Sequence, residues 1–169
     1  MVRRVLQLDE AALWGMRRWH SPLLTRVMQG LTRLGDAESV ALVTLVLLSV
    51  GGAAAERGKL MACAAALATL LAQALKRTCR RRRPSAGIVG FTALADDPDA
   101  FSFPSGHTAA AAAVAIAMVG QGAFAPGCMA LAAAIGVSRV YLGAHYPLDV
   151  AAGGVLGALG GLLARAWLG

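Results

Sequence analysis

Residues 108–137 read TAAAAAVAIAMVGQGAFAPGCMALAAAIGV, thirty positions without a formal charge. The run is longer than the roughly 20 apolar residues that one helix needs to cross a bilayer core. Gly120-Gln121-Gly122 and Pro126-Gly127 place turn chemistry in its middle, so it reads as two helices rather than one. The apolar/polar alternation of a membrane barrel is absent. Lipid offers backbone groups no water partner, and helices satisfy them internally.

Further uncharged apolar stretches lie at 39–55, 60–75 and 150–164. The whole composition agrees: 57% of the 169 residues are hydrophobic and 15% are charged, with a mean hydropathy of +0.62. An ordinary soluble domain has about 45–50% apolar and about 25% charged residues. Disorder is thereby excluded, and the balance argues against a water-soluble globule. The expected fold is all-α, a membrane-spanning bundle of about five to six helices forming one domain over 1–169. Lys and Arg outnumber Asp and Glu 16 to 9, which suits a protein that handles an anion.

The first 35 residues read as an interfacial segment. Leu24, Val27, Met28, Leu31 and Leu34 recur at helical spacing, with Trp14, Trp19, Arg17 and Arg18 just upstream. The opening residues lack the apolar core and cleavage site of a secretory signal. Cys63, Cys79 and Cys128 show no metal or disulfide spacing and read as packing thiols. Gly153, Gly157 and Gly161 form a four-residue stripe that admits close helix approach. Contact within the bundle is its first reading, and a homodimer through this glycine-rich helix its second.

Alternating the spans across a membrane brings segments 76–107 and 138–149 to the same side. These segments hold three blocks that stand out: Lys76 followed seven residues later by Arg83-Pro84, then Pro104-Ser105-Gly106-His107, then Ser138-Arg139 with His145 and Asp149. Each has a plain structural explanation: a basic run after a span, a turn before a helix, a helix cap at Asp149. Together they match the pattern KxxxxxxRP, PSGH, SRxxxxxHxxxD at every fixed position.

In this the chain resembles the type 2 phosphatidic acid phosphatase (PAP2) family. The motifs cover 76–149 and hydropathy covers the rest. The resemblance implies a metal-independent phosphatase with no cofactor, acting on a lipid phosphate or diphosphate through a phosphohistidine. It implies His145 as nucleophile, Asp149 as its orienting carboxylate, and His107 as acid to the leaving group and base to water. Lys76, Arg83, Ser105, Gly106 and Arg139 would hold the phosphate oxygens.

Physical chemistry agrees with the residue types. A phosphomonoester carries nearly two negative charges that must be held and neutralised while a nucleophile aligns. Three cations and the N–H groups opening an alanine-rich helix after Ser105-Gly106 meet that need. No carboxylate cluster is left for magnesium, because Asp96, Asp97 and Asp99 sit in one short loop and read as solvated. That loop, within 84–103, is expected to gate entry or tune headgroup choice. Arg77, Arg80, Arg81 and Arg82 read mostly as a solvated or lipid-facing charge run, and His20 as interfacial.

The expected partners are the bilayer and a membrane lipid phosphate: phosphatidic acid, phosphatidylglycerol phosphate or a polyprenyl (di)phosphate. Nucleic acid is not among them, since the basic run lacks stacking aromatics. The expected location is a bacterial inner (cytoplasmic) membrane, crossed several times. Counting cations by the positive-inside rule puts the site in the cytoplasm, but catalytic cations bias that count, so its side stays open. The alternatives are a phosphotransferase using the same intermediate, a haloperoxidase, and a non-catalytic lipid-binding protein.

Overall fold

A computed structural model describes residues 2–95 and 99–169. The described residues form eight α-helices: α1 (Val2–Met16), α2 (Pro22–Arg33), α3 (Ala37–Val50), α4 (Gly52–Cys79), the single turn α5 (Pro84–Gly87), α6 (Gly106–Ala117), α7 (Phe124–Tyr141) and α8 (Pro147–Leu168). Among the described residues the β structure is one isolated bridge, Arg82 to Phe101. α4, α7 and α8 are long and apolar enough to cross a membrane, and α3 and α6 are shorter apolar helices. The protein is a multi-pass membrane bundle.

The five apolar helices occupy the stretches expected from hydropathy, with one boundary moved. The charges at 56–59 predict the first turn there. The chain turns earlier, at Gly51 and Gly52, whose φ of +80° and +53° suits residues without a Cβ. Glu56, Arg57 and Lys59 then ride on the opening turns of α4. At 1.5 Å per residue its 28 residues span about 42 Å, so its charged start projects beyond the apolar layer.

α6 lies at the centre, packed against α4, α7 and α8. Its twelve residues span only about 18 Å. A helix this short is tolerated at depth because its ends are satisfied by protein. At its start, Ser105 Oγ accepts from the Thr108 N–H. At its end, Arg165 of α8 donates to the carbonyls of Ile116 and Val119.

The interior is built from small side chains: Ala64, Ala68 and Ala72 of α4, Ala109, Ala113 and Ala117 of α6, Ala164 of α8. Larger apolar residues such as Leu42, Leu45, Leu159 and Leu162 point outward. This arrangement suits lipid, where helices gain little by hiding leucine and associate through close backbone contact. The glycine stripe shows it directly. A Cβ at Gly153, Gly157 or Gly161 would come within about 2.6 Å of the carbonyl oxygens of Ser105, Ala109 and Ala113. The stripe is thus used inside the bundle, against α6.

α1 and α2 lie across the end of the bundle where α4 finishes and α8 begins. Leu13 is buried in a cluster with Phe91, Val140 and Tyr146, while Trp19 and Leu23 stay exposed. His20 serves the packing of this layer. Its ring lies against that of Tyr141, and its Nε2 meets the Tyr141 carbonyl at 3.0 Å. Of the cysteines, Cys79 is exposed at the end of α4 rather than packed.

Candidate active site

Four chain ends converge beneath α1 and α2. They are the last turn of α4 with the segment after it, the first turn of α6, the last turn of α7, and the 142–149 corner that opens α8. The eight expected site residues all lie here. Lys76, Arg83, Ser105, Arg139, His145 and Asp149 are buried, and Gly106 and His107 are partly buried.

His145 stands on the corner between α7 and α8, which Gly143 makes possible. Gly143 has φ +74°, and a Cβ there would overlap the Phe91 ring. The imidazole Nε2 lies 3.4 Å from Arg83 Nη1, and the same nitrogen of Arg83 donates to the Ala144 carbonyl at 2.9 Å. The other edge, Nδ1, lies 3.7 Å from Asp149 Oδ2. Among the described residues Nδ1 has no partner at hydrogen-bond distance. Burial is the main influence on this ring. The Asp149 contact opposes it, Arg139 and Arg83 add to it, and the imidazole is pushed down to about 4. It is therefore neutral at ordinary working pH.

Asp149 is fully buried. Its Oδ2 accepts the Tyr146 N–H at 2.9 Å, so the carboxylate caps α8, with Pro147 in the first turn, while still facing His145. The capping and catalytic readings of this residue are compatible.

Lys76 and Arg83 converge on one carboxylate. Lys76 Nζ lies 2.5 Å from Asp99 Oδ2. Arg83 donates to Asp99 Oδ1 and to the Asp99 carbonyl, each at 2.7 Å. This corrects the reading of Asp99 as a solvated loop acid: it sits in the cation cradle. Burial alone would raise its carboxyl, but hydrogen bonds from Lys76 and Arg83 outweigh that and hold it below the usual carboxylate range. Asp96 and Asp97, read with it as a gate, lie outside the described residues.

Arg139 reaches from α7 to Thr32 Oγ1 at 2.8 Å. His107, in the first turn of α6, meets Asp36 Oδ1 through Nε2 at 2.6 Å. Gly35 lets the α2–α3 corner come this near, for a Cβ there would press on Ile135 and approach the His107 ring. Arg139, His107, Thr32 and Asp36 line an open cavity of about 550 Å³ with Gln29, Arg33 and residues 93–95. Ser105 departs from expectation in one respect. Its hydroxyl is engaged with Thr108, 2.9 Å from that hydroxyl, so its immediate role is to cap α6. Nothing lies within 4 Å of a Cβ built on Gly106, so a ligand can approach the backbone there.

Residues 58–169 match the model of the PAP2 superfamily. The chain belongs to the PAP2 superfamily. Two solved structures are similar to it. The transmembrane PAP2-type phosphatidylglycerolphosphate phosphatase from Bacillus subtilis is 30% identical, with a TM-score of 0.81 over 97% of this chain and 86% of that one. LpxE from Aquifex aeolicus is 26% identical, with a TM-score of 0.82 over 94% of this chain and 95% of that one. No curated protein matches the sequence closely enough to count as a relative. This member is a PAP2-type membrane phosphatase.

Several groups at the site carry no local sequence signal. Arg81, which reads with its neighbours as part of a solvated run, is instead bonded to Asp149 and to Asp9. Arg77, Arg80 and Arg82 are exposed as expected. Thr32 and Asp36 also escape a reading of the motifs. Asp36 stands at the N-cap position of α3 without capping it through its side chain; its carboxylate turns to His107 instead.

Proposed function

We propose that this protein hydrolyses a lipid phosphate at the membrane surface through a phosphohistidine on His145. The observation that carries the reading is the meeting of Lys76 and Arg83 on one carboxylate beside the Nε2 of a neutral, buried imidazole. That carboxylate stands where a phosphate would sit. A phosphate, with more charge and three equatorial oxygens, displaces Asp99 and takes both cations. Arg139 and the N–H groups at Gly106 hold the remaining oxygens.

His145 Nε2 attacks phosphorus, and the bond to the leaving oxygen breaks as His107 gives that oxygen its proton. Water then attacks the phosphohistidine, His107 takes the water's proton, and inorganic phosphate leaves with His145 regenerated. Asp149, 3.7 Å from Nδ1, closes on that nitrogen during the reaction and balances the positive charge that develops on the ring. Asp36 orients His107 through its 2.6 Å contact with Nε2. In this scheme the charge is stabilised by the protein's own cations and N–H groups.

The substrate class follows from where the site opens. Its cavity lies under the interfacial helices at one end of an apolar bundle, suiting a lipid whose tails stay in the bilayer while its phosphate reaches in. The Bacillus subtilis structure is named for a lipid phosphomonoester, which favours monoesters such as phosphatidic acid and phosphatidylglycerol phosphate over diphosphates. A bacterial inner membrane is the setting that fits. The test is a panel of lipid mono- and diphosphates assayed in detergent with excess chelator. Phosphate release from a lipid monoester, inhibited by vanadate, is expected. Activity that appears only on adding a divalent cation, or only on water-soluble esters, would contradict the proposal.

A further inference from the structure

A closed ring of hydrogen bonds ties the interfacial helix α1 to the carboxylate behind His145. Asp9 of α1 is buried, its side chain only 1% exposed. Its Oδ2 accepts from Arg81 Nη2 at 2.6 Å, and its Oδ1 accepts the Leu148 N–H at 2.9 Å. Leu148 is the second residue of α8, so a side chain from α1 satisfies a free N–H at the start of the helix that carries Asp149. Arg81 donates its other nitrogen, Nη1, to Asp149 Oδ1 at 2.8 Å. Its guanidinium also lies 3.8 Å over the Tyr146 ring. The ring closes through Asp149 Oδ2 and the Tyr146 N–H. Neither Asp9 nor Arg81 occupies a position in the three motifs.

From this arrangement we propose that Asp9 and Arg81 are positioning residues for catalysis, setting both the orientation of Asp149 and the share of its charge that reaches His145. The inference rests on His145 acting as the nucleophile. A carboxylate supports a nucleophilic histidine by holding its far proton and offsetting the positive charge formed on attack. Arg81 fixes Oδ1 so that Oδ2 faces the ring. Taken alone, a partly buried guanidinium on that carboxylate would also drain its charge away from His145. Asp9, bonded to the other nitrogen of the same planar fork, balances Arg81 and returns that charge to the histidine.

The other groups around His145 make this balance matter. Arg139 of α7 and Arg83 after α4 are cations near the ring, with Lys76 of α4 and His107 of α6 across the cradle. Asp99 opposes them only until phosphate displaces it. With substrate bound, the Asp149 carboxylate is the anion left beside the ring itself, and its strength is set by Asp9 through Arg81.

The test uses full-length protein in detergent, with the three histidines isotopically labelled for NMR titration and turnover measured on a lipid phosphate. Asp9→Asn is expected to lower the His145 titration midpoint by about half a unit, because Arg81 is no longer balanced. It should lower kcat roughly 10-fold, the scale at which partners of a working histidine act, with KM little changed. The double variant Asp9→Asn/Arg81→Gln leaves no unbalanced cation on Asp149. Its midpoint should return to the wild-type value while kcat stays reduced, because Asp149 has lost its anchor. A wild-type midpoint and kcat in Asp9→Asn, or a fall in melting temperature alone, would make the ring a structural strap and overturn the proposal. If Asp9→Asn does not fold, the double variant decides: unchanged kcat overturns it. His145→Ala tests the underlying reading separately. Turnover in that variant removes the nucleophile, whereas its loss alongside an unperturbed Asp9→Asn removes only the present inference.

Discussion

Replacing Asp99 by Asn should make the enzyme bind its substrate more tightly. The carboxylate occupies the two cations that a phosphate needs, so it acts as a tethered competitor. Asn keeps the shape and one acceptor but loses the charge. A hydrogen bond to a charged group contributes about 1.5–3 kcal/mol and a neutral one about 0.5–1.5, so each of the two side-chain contacts weakens by roughly 1 kcal/mol. Asp99 is about one-third exposed (34%), and solvent screening reduces the sum to about 1 kcal/mol. At about 1.4 kcal/mol per factor of ten, the competition eases about fivefold. Because Lys76 and Arg83 hold the carboxyl below its ordinary range, it stays ionised at neutral pH and its stabilising contacts are lost only in acid, below the usual carboxylate pKa. Initial rates in mixed micelles of varied substrate content, with and without vanadate, read the effect. KM and the vanadate inhibition constant should both fall about fivefold, with kcat changing less. An unchanged or raised KM would refute the idea that Asp99 holds the phosphate position.

Other expectations follow from the same geometry. The His145 ring, followed by NMR in the folded protein, should titrate near 4; a midpoint at or above 6.5 would contradict its burial among cations. Its folded-state pKa lies below the unfolded value, so its contribution to stability is full above about 6.5 and declines as pH falls from there toward 4. Asp36→Asn removes the partner of His107 and should lower kcat about 10-fold while leaving KM and the melting temperature near wild type; unchanged kcat would show that Asp36 does not serve His107. Gly157→Ala pushes a Cβ into the α6 backbone and should destabilise the bundle by about 1–3 kcal/mol, read as a lower melting temperature in detergent. Gly154→Ala, which meets nothing within 4 Å, is its control and should be neutral; equal effects would remove the close-packing account.

The helical bundle is legible in the sequence because lipid imposes a simple rule, an uncharged run long enough to cross. The charged 56–59 segment misleads by a few residues, since Gly51 and Gly52 turn the chain earlier and a long α4 can carry charges past the apolar layer. The eight motif residues can be read because phosphate chemistry restricts residue types at fixed spacings. What supports them cannot. Asp9 is 140 residues from Asp149 and Asp36 is 71 from His107, and Asp99 resembles any loop acid until the backbone delivers it to Lys76 and Arg83. Arg81 shows the difficulty best. Four successive arginines, Arg80–Arg83, are chemically alike in sequence, yet the chain turn at Arg80, with φ 44°, sends Arg81 to Asp149 and Arg83 to Asp99 while Arg82 faces out. Such pairings are set by tertiary geometry.

The central claim is tested most directly by trapping the covalent intermediate. The enzyme is mixed with lipid carrying a radiolabelled phosphate, quenched in alkali to preserve phosphohistidine, digested, and mapped. Label on the peptide containing His145, absent from His145→Ala, is the predicted result. A His145→Ala protein that still turns over the lipid, or label carried on another residue, would contradict the account.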